Sequence, residues 1–311
     1  MSFRPRSCLL CPLVATLALL PAARAIDPTP VTFETFDHVA IAGDYYAPKP
    51  GAHGAPMVIL LHEYRSDRTV WKPLIGPLHE AGFATLAIDL RGHGESVSGE
   101  LRERVAQRDT AVFEAMHNDV RGAYDWLARQ EGVDRSRFAL VGASVGSSVS
   151  LRYAVKDRSV DAIVCLSPGV NYLGLDSKRD IARIRGRRLW LIAADDPEEK
   201  RGVLALERLA ENAESKLYPH GGHGTRMFGK VPHLEQQLVD YLARQVGPAT
   251  DSTVYGSINS DIYHLPGSGW IDRINPSNMR HYSSPREAEA RGLRKARSRG
   301  PDDKPRGRRD D

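Results

Sequence analysis

Five short apolar runs, each closing on a polar or small residue and each separated from the next by a longer stretch, constrain the fold of this chain most tightly. They are "PMVILLHEY" (56–64), "FATLAIDL" (83–90), "RFALVGAS" (137–144), "DAIVCLSP" (161–168) and "RRLWLIAADD" (187–196). Continuous apolar runs of this length suit strands buried on both faces. The intervening segments 71–81, 112–130, 145–155, 203–213 and 234–246 carry helical patterns. Strand, helix, strand in repetition predicts an α/β fold, a mostly parallel central sheet flanked by helices, over residues 26–247. Ahead of it, "VTFETFDHVAIAGDYYAP" (31–48) alternates and contains a Gly-Asp pair, which predicts an antiparallel hairpin turning there at the sheet edge.

The chain of 311 residues does not begin with this domain. Two arginines, an apolar run of 13 residues (8–20) and Ala23-Arg24-Ala25 read as a secretory signal over 1–25, cleaved after Ala25. The run falls short of the roughly 20 residues a spanning helix needs, so no membrane span is expected in the mature chain. A periplasmic or secreted protein is the resulting expectation. Of the 3 cysteines only Cys165 survives cleavage, in an apolar run where a buried inert thiol is expected. The net charge of +4 arises at the two ends of the chain: residues 26–250 hold 28 basic and 30 acidic side chains. No basic field covers the main domain, which argues against nucleic acid as a partner.

In a parallel sheet, chemistry gathers where strands end. "VGASVGSSVS" (141–150) places Ser144 between two glycines directly after "FALV" and at the start of a helical pattern. A G-x-S-x-G match alone arises by chance in about one chain in ten. At a strand-to-helix turn it gains mechanical meaning, because Gly142 and Gly146 avoid clashes while the turn lifts the serine hydroxyl out of the sheet. A serine needs a base, and His223 in "YPHGGHGTRMF" follows a strand-like segment and precedes the last helix. Neighbouring His220 reads as a solvated loop residue. The base needs an orienting carboxylate. "LIAADDP" ends its strand in two aspartates, of which Asp196 is favoured and Asp195 remains open. "ILLHEYRSD" ends the first long strand, where the Tyr64 amide is placed to join the Val145 amide as an oxyanion hole. The side chains of His62 and Glu63 read equally as structural or functional.

Taken together, "LHEYRSD", "DLRGHGES", "GASVG", "AADDP" and "GGHGT" resemble the α/β-hydrolase superfamily, and within it the bacterial hydrolases similar to dienelactone hydrolase, over about 31–247. The resemblance implies an α/β-hydrolase fold, a Ser144, Asp196, His223 triad and an oxyanion hole from the Tyr64 and Val145 amides. It also implies a structural role for His93 in "DLRGHGES", with the glycines of that loop making its turn. Dienelactone hydrolase itself uses a cysteine nucleophile, so a serine here points to acyl-ester hydrolysis in general. With only about 20 residues between 167 and 188, no large cap is expected.

Residues 248–300 resemble the small metal-binding module related to the DNA-repair protein Ada, through Asn259, Ser260, Tyr263, His264, Pro266, Asn278, Tyr282, Ala288 and Gly292. The cysteines of that module are missing, with Ser268 near the first expected position, so no structural metal is expected and His264 reads as a packing residue. Residues 301–311 form a charged tail expected to be disordered.

The chain is therefore expected to be a serine hydrolase acting on a small-molecule acyl substrate without a cofactor. The alternatives are a peptidase or acyltransferase using the same triad, or a non-catalytic binding scaffold whose C-terminal module docks an unknown protein partner.

Overall fold

A computed structural model describes residues 26–52, 54–247, 253–275, 278–282 and 284–296. The signal-like segment (1–25) and the charged tail (301–311) lie outside these described residues. The first half of the chain forms β1 (Thr29–Glu34), β2 (Ala40–Tyr46), β3 (Ala55–Leu61), α1 (Lys72–Glu80), β4 (Ala84–Ile88), α2 (Gly99–Ala106), α3 (Thr110–Ala115), α4 (His117–Leu127) and β5 (Val133–Ala143). Then follow α5 (Val145–Lys156), β6 (Ala162–Leu166), β7 (Asn171–Tyr172), β8 (Leu175–Asp176), α6 (Ser177–Ile181), β9 (Arg188–Ala194), α7 (Pro197–Glu207), β10 (Ala213–Tyr218) and α8 (Leu234–Val246).

Eight strands form the main sheet in the order β1-β2-β4-β3-β5-β6-β9-β10. β1 and β2 pair antiparallel, β2 meets β4 antiparallel, and every pairing from β4 onward is parallel. β3, β4 and β6 are buried along their whole length because helices cover both faces. Met57, Ile59 and Leu61 of β3 share a core layer with Val120 of α4 and Val149 of α5. Val58 and Leu60, pointing the other way, pack with Leu74 of α1 and Leu238 of α8. Each such aliphatic side chain contributes about 1.5–3 kcal/mol on burial. In register, Leu61 lies beside Gly142, Gly142 beside Cys165 and Cys165 beside Leu191. The strands thus end level, and the loops after β3, β5, β6 and β9 share one edge.

The sequence reading departs from the structure in three places. The hairpin joining β1 and β2 turns at 35–39, helped by the left-handed backbone of His38, while Gly43 and Asp44 lie inside β2. Asp44 is drawn inward by Arg68, whose Nε sits 2.9 Å from its carboxylate. The single helix expected over 112–130 is divided between α3 and α4 at Met116. α7 starts at Pro197, before the expected 203, because Asp196 caps it and proline suits its first position.

Beyond 247 lies a second sheet, ordered β13-β11-β12-β14, from β11 (Val254–Ser257), β12 (Ile262–His264), β13 (Met279–Tyr282) and β14 (Arg294–Lys295), with α9 (Pro285–Ala290). Val254, Tyr263, Tyr282 and Ala288 form its small core. His264 stacks on Trp270 at 6.5 Å between ring centroids, a packing role. Cys165 is buried and free, and burial pushes its thiol up to about 12. No helix among the described residues is long and apolar enough to cross a membrane.

Candidate active site

Ser144 sits between the end of β5 and the start of α5 with φ 52° and ψ −115°. A side chain in this left-handed region costs about 1–3 kcal/mol and persists only where the surroundings enforce it. The Ser144 amide donates to the Leu166 carbonyl at 2.8 Å, and the Ser144 carbonyl accepts from Ser147 at 3.0 Å. Both flanking glycines are required. A methyl group at Gly142 would overlap the Gly146 carbonyl, and one at Gly146 would overlap the Leu61 carbonyl at the end of β3. The close approach of α5 to two strand ends therefore fixes the turn. It also brings the first amides of α5, Val145 included, to the edge of the sheet, where helix geometry leaves them without intrahelical acceptors.

His223 lies on the loop after β10, and three strand ends hold that loop. Asp195, after β9, accepts from the Gly221 amide at 3.1 Å and from the Gly222 amide at 2.6 Å. These amides, Gly222 first, hold the Asp195 carboxyl below its ordinary range. Ser167, after β6, accepts from the Gly224 amide at 2.9 Å. Glu63, after β3, accepts from the Thr225 hydroxyl at 2.7 Å. Gly224 itself lies against Ala143, the residue before Ser144, so the histidine loop and the serine turn are neighbours. His220 is exposed and stands 3.5 Å from Asp195.

The carboxylate that meets His223 belongs to Glu199, whose Oε1 lies 2.5 Å from His223 Nδ1. Asp196, the residue favoured from sequence for this contact, is engaged elsewhere: it caps α7 by accepting from the Glu198 amide at 2.6 Å and the Glu199 amide at 3.3 Å. Asp195, the second candidate, is occupied by the glycine amides of the loop. The reason is local. A helix that begins at Pro197 directs the preceding aspartate toward its own amides, and its first turn then presents Glu199 to the imidazole. The "DDPEE" run carried that signal, since an aspartate before proline at a helix start reads as a cap.

The Tyr64 side chain is held by Val105, His93 and Phe113. Its hydroxyl donates to the Val105 carbonyl at 3.1 Å and its ring meets His93 and Phe113 edge-on, each at 5.9 Å, which fixes the backbone at Tyr64. His62 is fully buried: Nε2 accepts from the Leu90 amide at 3.0 Å, so its proton resides on Nδ1 and is donated to the Glu63 carbonyl at 2.7 Å. Burial first, and neighbouring His93 second, bring His62 down to about 3, so it is neutral and stitches the ends of β3 and β4 together. His93 is likewise buried, and Gly92 and Gly94 on either side adopt positive φ. Both histidines support the loop that carries Tyr64.

Two contributors escaped the sequence reading besides Glu199. Ser167, with φ 50°, anchors the histidine loop as described. Tyr172, on the β7–β8 hairpin, is half-buried over the serine turn: burial raises its phenol, the charge of Glu199 adds to this, and the Ser144 hydroxyl opposes it. A cavity of 280 Å³ opens beside Tyr64, lined by Arg65, His93, Val97, Arg102 and Val105.

A parallel sheet that delivers a serine at a strand–helix turn and a carboxylate-held histidine from a later loop defines an α/β-hydrolase. The chain belongs to this family. Residues 53–193 match the family described as serine aminopeptidase, S33. An uncharacterized protein of Mycobacterium tuberculosis (strain H37Rv) is 31% identical over 232 residues, covering 68% of this chain and 76% of the relative. The fold is shared with the esterase Pf2001 of Pyrococcus furiosus, with TM-score 0.58, 20% identity, and coverage of 71% of this chain and 94% of that one. It is shared also with dienelactone hydrolase from Anabaena variabilis, with TM-score 0.57, 19% identity, and coverage of 71% and 99%.

Proposed function

We propose that the protein is a serine hydrolase that cleaves a carboxylic ester or related acyl bond of a small substrate through an acyl-enzyme on Ser144. The observation that carries this reading is the 2.5 Å contact between Glu199 and His223 on a loop packed beside a serine held at positive φ. In the proposed reaction the Ser144 hydroxyl attacks the acyl carbon while His223 takes its proton, and Glu199 stabilises the imidazolium that forms. The Tyr64 and Val145 amides receive the oxyanion. His223 then returns the proton to the leaving alcohol, and water attacking the acyl-enzyme repeats the sequence in reverse. No cofactor enters these steps.

The esterase and dienelactone hydrolase names of the structural relatives favour an ester. The aminopeptidase name of the matching family supports a second reading, hydrolysis of an aminoacyl bond. Glu63 Oε2 is buried beside the histidine loop without a hydrogen-bond partner among the described residues. Paired assays with acyl p-nitrophenyl esters and aminoacyl p-nitroanilides separate the two.

The first test is labelling of the full chain with a fluorophosphonate. The expected result is a single adduct on Ser144, absent from Ser144→Ala, with hydrolysis lost in that variant. A folded protein that takes no label would favour the scaffold alternative. For location, we read residues 1–25 as directing the protein to the periplasm or outside the cell, which cell fractionation tests. We read the C-terminal module as a degenerate relative of the Ada-type metal-binding module, retained as a docking element.

A further inference from the structure

At the opposite end of the sheet from Ser144, where β6 and β9 begin, the C-terminal module lies against the hydrolase domain. Arg280 of β13 donates to Asp161, just before β6, at 3.1 Å and to the Arg158 carbonyl at 3.0 Å. His281 hydrogen-bonds the Ser136 carbonyl at 2.9 Å through Nε2. Between the two units is a cavity of 310 Å³, and five arginines line it: Arg158, Arg185, Arg188, Arg280 and Arg291.

Among the described residues two carboxylates, Asp161 and Glu287, share these walls, and each already faces an arginine, Arg280 and Arg291 respectively; Arg185 reaches Glu211, outside the walls, at 3.8 Å. The guanidiniums of Arg158 and Arg188 make no ion pair among the described residues. Arg280 is 8% exposed, yet its Nε–H is buried with no partner among the described residues, as is that of Arg188. Burial of such donors is costly unless something accepts from them. Behind the wall, burial and the charges of Arg280 and Arg158 bring even Arg187 down to about 10, a sign of how closely like charges are packed.

The module adds two hydroxyls. Ser257 Oγ accepts from the Asn259 amide at 3.2 Å and Ser260 Oγ from the Ile262 amide at 3.2 Å, which leaves both O–H groups free to donate. Both serines line the cavity. Guanidinium forks converging with hydroxyl donors, and carboxylates too few to neutralise them, match a compact anion carrying more than one charge.

We propose that this cavity binds a phosphate group, free or carried by a small soluble phosphomonoester, and that the bound anion tethers the C-terminal module to the hydrolase domain. The site stands apart from Ser144 and does not depend on the proposed hydrolysis.

The experiment is titration calorimetry and thermal melting of the full-length protein in phosphate-free buffer, with inorganic phosphate, glycerol phosphate, acetate and sodium chloride at matched ionic strength. The expected result is saturable phosphate binding with Kd of about 1 mM or tighter and a rise in Tm with ligand concentration. Binding is expected to weaken at least about tenfold in Arg158→Gln and in Arg188→Gln, each removing a contact to a charged group. Neither residue is fully buried, so both variants keep the fold, and Ser144→Ala binds as the wild type does. Tighter binding of glycerol phosphate than of phosphate identifies the phosphomonoester, and the reverse identifies the free ion. The proposal is overturned if neither ligand binds up to about 10 mM, if chloride at equal ionic strength raises Tm as much, or if the two arginine variants bind undiminished.

Discussion

Asp196 and Glu199 stand three positions apart and do different work: Asp196 caps α7, while Glu199 meets the imidazole that sequence reading pairs with Asp196. If Glu199 orients the imidazole, Glu199→Gln lowers kcat by about 10²–10⁴ with little change in KM. Asp196→Ala instead removes a helix cap, costs about 1 kcal/mol of stability and leaves more activity than the Glu199 variant. Steady-state kinetics beside urea melts of both variants check this, and the opposite ranking would return the role to Asp196. The serine turn, the histidine loop and the other strand-end loops were legible in the residues because glycine spacing and strand ends are local signals. The acid was less legible because two adjacent aspartates compete for a helix cap and a loop anchor, and only the path of the backbone shows which carboxylate is left for the imidazole. His62 offers a second test at this scale. Its imidazole titrates near 3 in the fold against 6.5 in an unfolded chain, so the unfolded chain binds more protons between these values. The stability due to neutral His62 is therefore complete above about pH 6.5 and lost as pH falls toward 3, with a slope of about 1.4 kcal/mol per pH unit within that window. His62→Gln removes this proton linkage, so denaturation at about pH 6 and about pH 4 shows the variant gaining on the wild type upon acidification. Equal slopes would mean that the ring protonates without loss of its hydrogen bonds.

Among the elements, the buried strands and the last helix announced themselves because their patterns record burial on two faces or on one stripe. The β7–β8 hairpin left no such record: two-residue strands are too short for a period, and its position over the site depends on contacts with residues distant in sequence. It is nevertheless the element closest to acting as a lid. Tyr172 fills the space over Gly169, where even a methyl group would overlap its ring. Tyr172→Ala opens that space, and the expected outcome is a relative gain in kcat/KM for longer acyl esters over acetyl esters, of about tenfold at most from added apolar contact. A series of p-nitrophenyl esters of increasing chain length measures it, and an unchanged chain-length profile would place Tyr172 outside the acyl path.

Across the whole molecule, the module is joined to the hydrolase domain by charged and polar contacts more than by a shared apolar core: its own core packs separately from the two layers around the main sheet. Ending the chain after Gly247 removes Arg280 from Asp161 and His281 from Ser136 while leaving Ser144, His223 and Glu199 in place. The shortened protein is expected to melt several degrees lower, in proportion to a loss of a few kcal/mol, and to keep its kcat within about threefold. A truncated chain that failed to fold would show instead that the module completes the domain.

The two ends of β6 meet different neighbours. Five residues long, the strand spans about 17 Å, leaving Asp161 at the arginine-lined junction and leading at its other end to Ser167, which holds the histidine loop. On the two proposals made above, the protein has a handle at one end and a working face at the other. An anionic resin or a phosphate-coated surface would take hold at the arginine end and leave Ser144 turned toward the liquid. Immobilisation in that orientation keeps the site supplied with substrate, whereas a covalent tether placed near Tyr64 would block it.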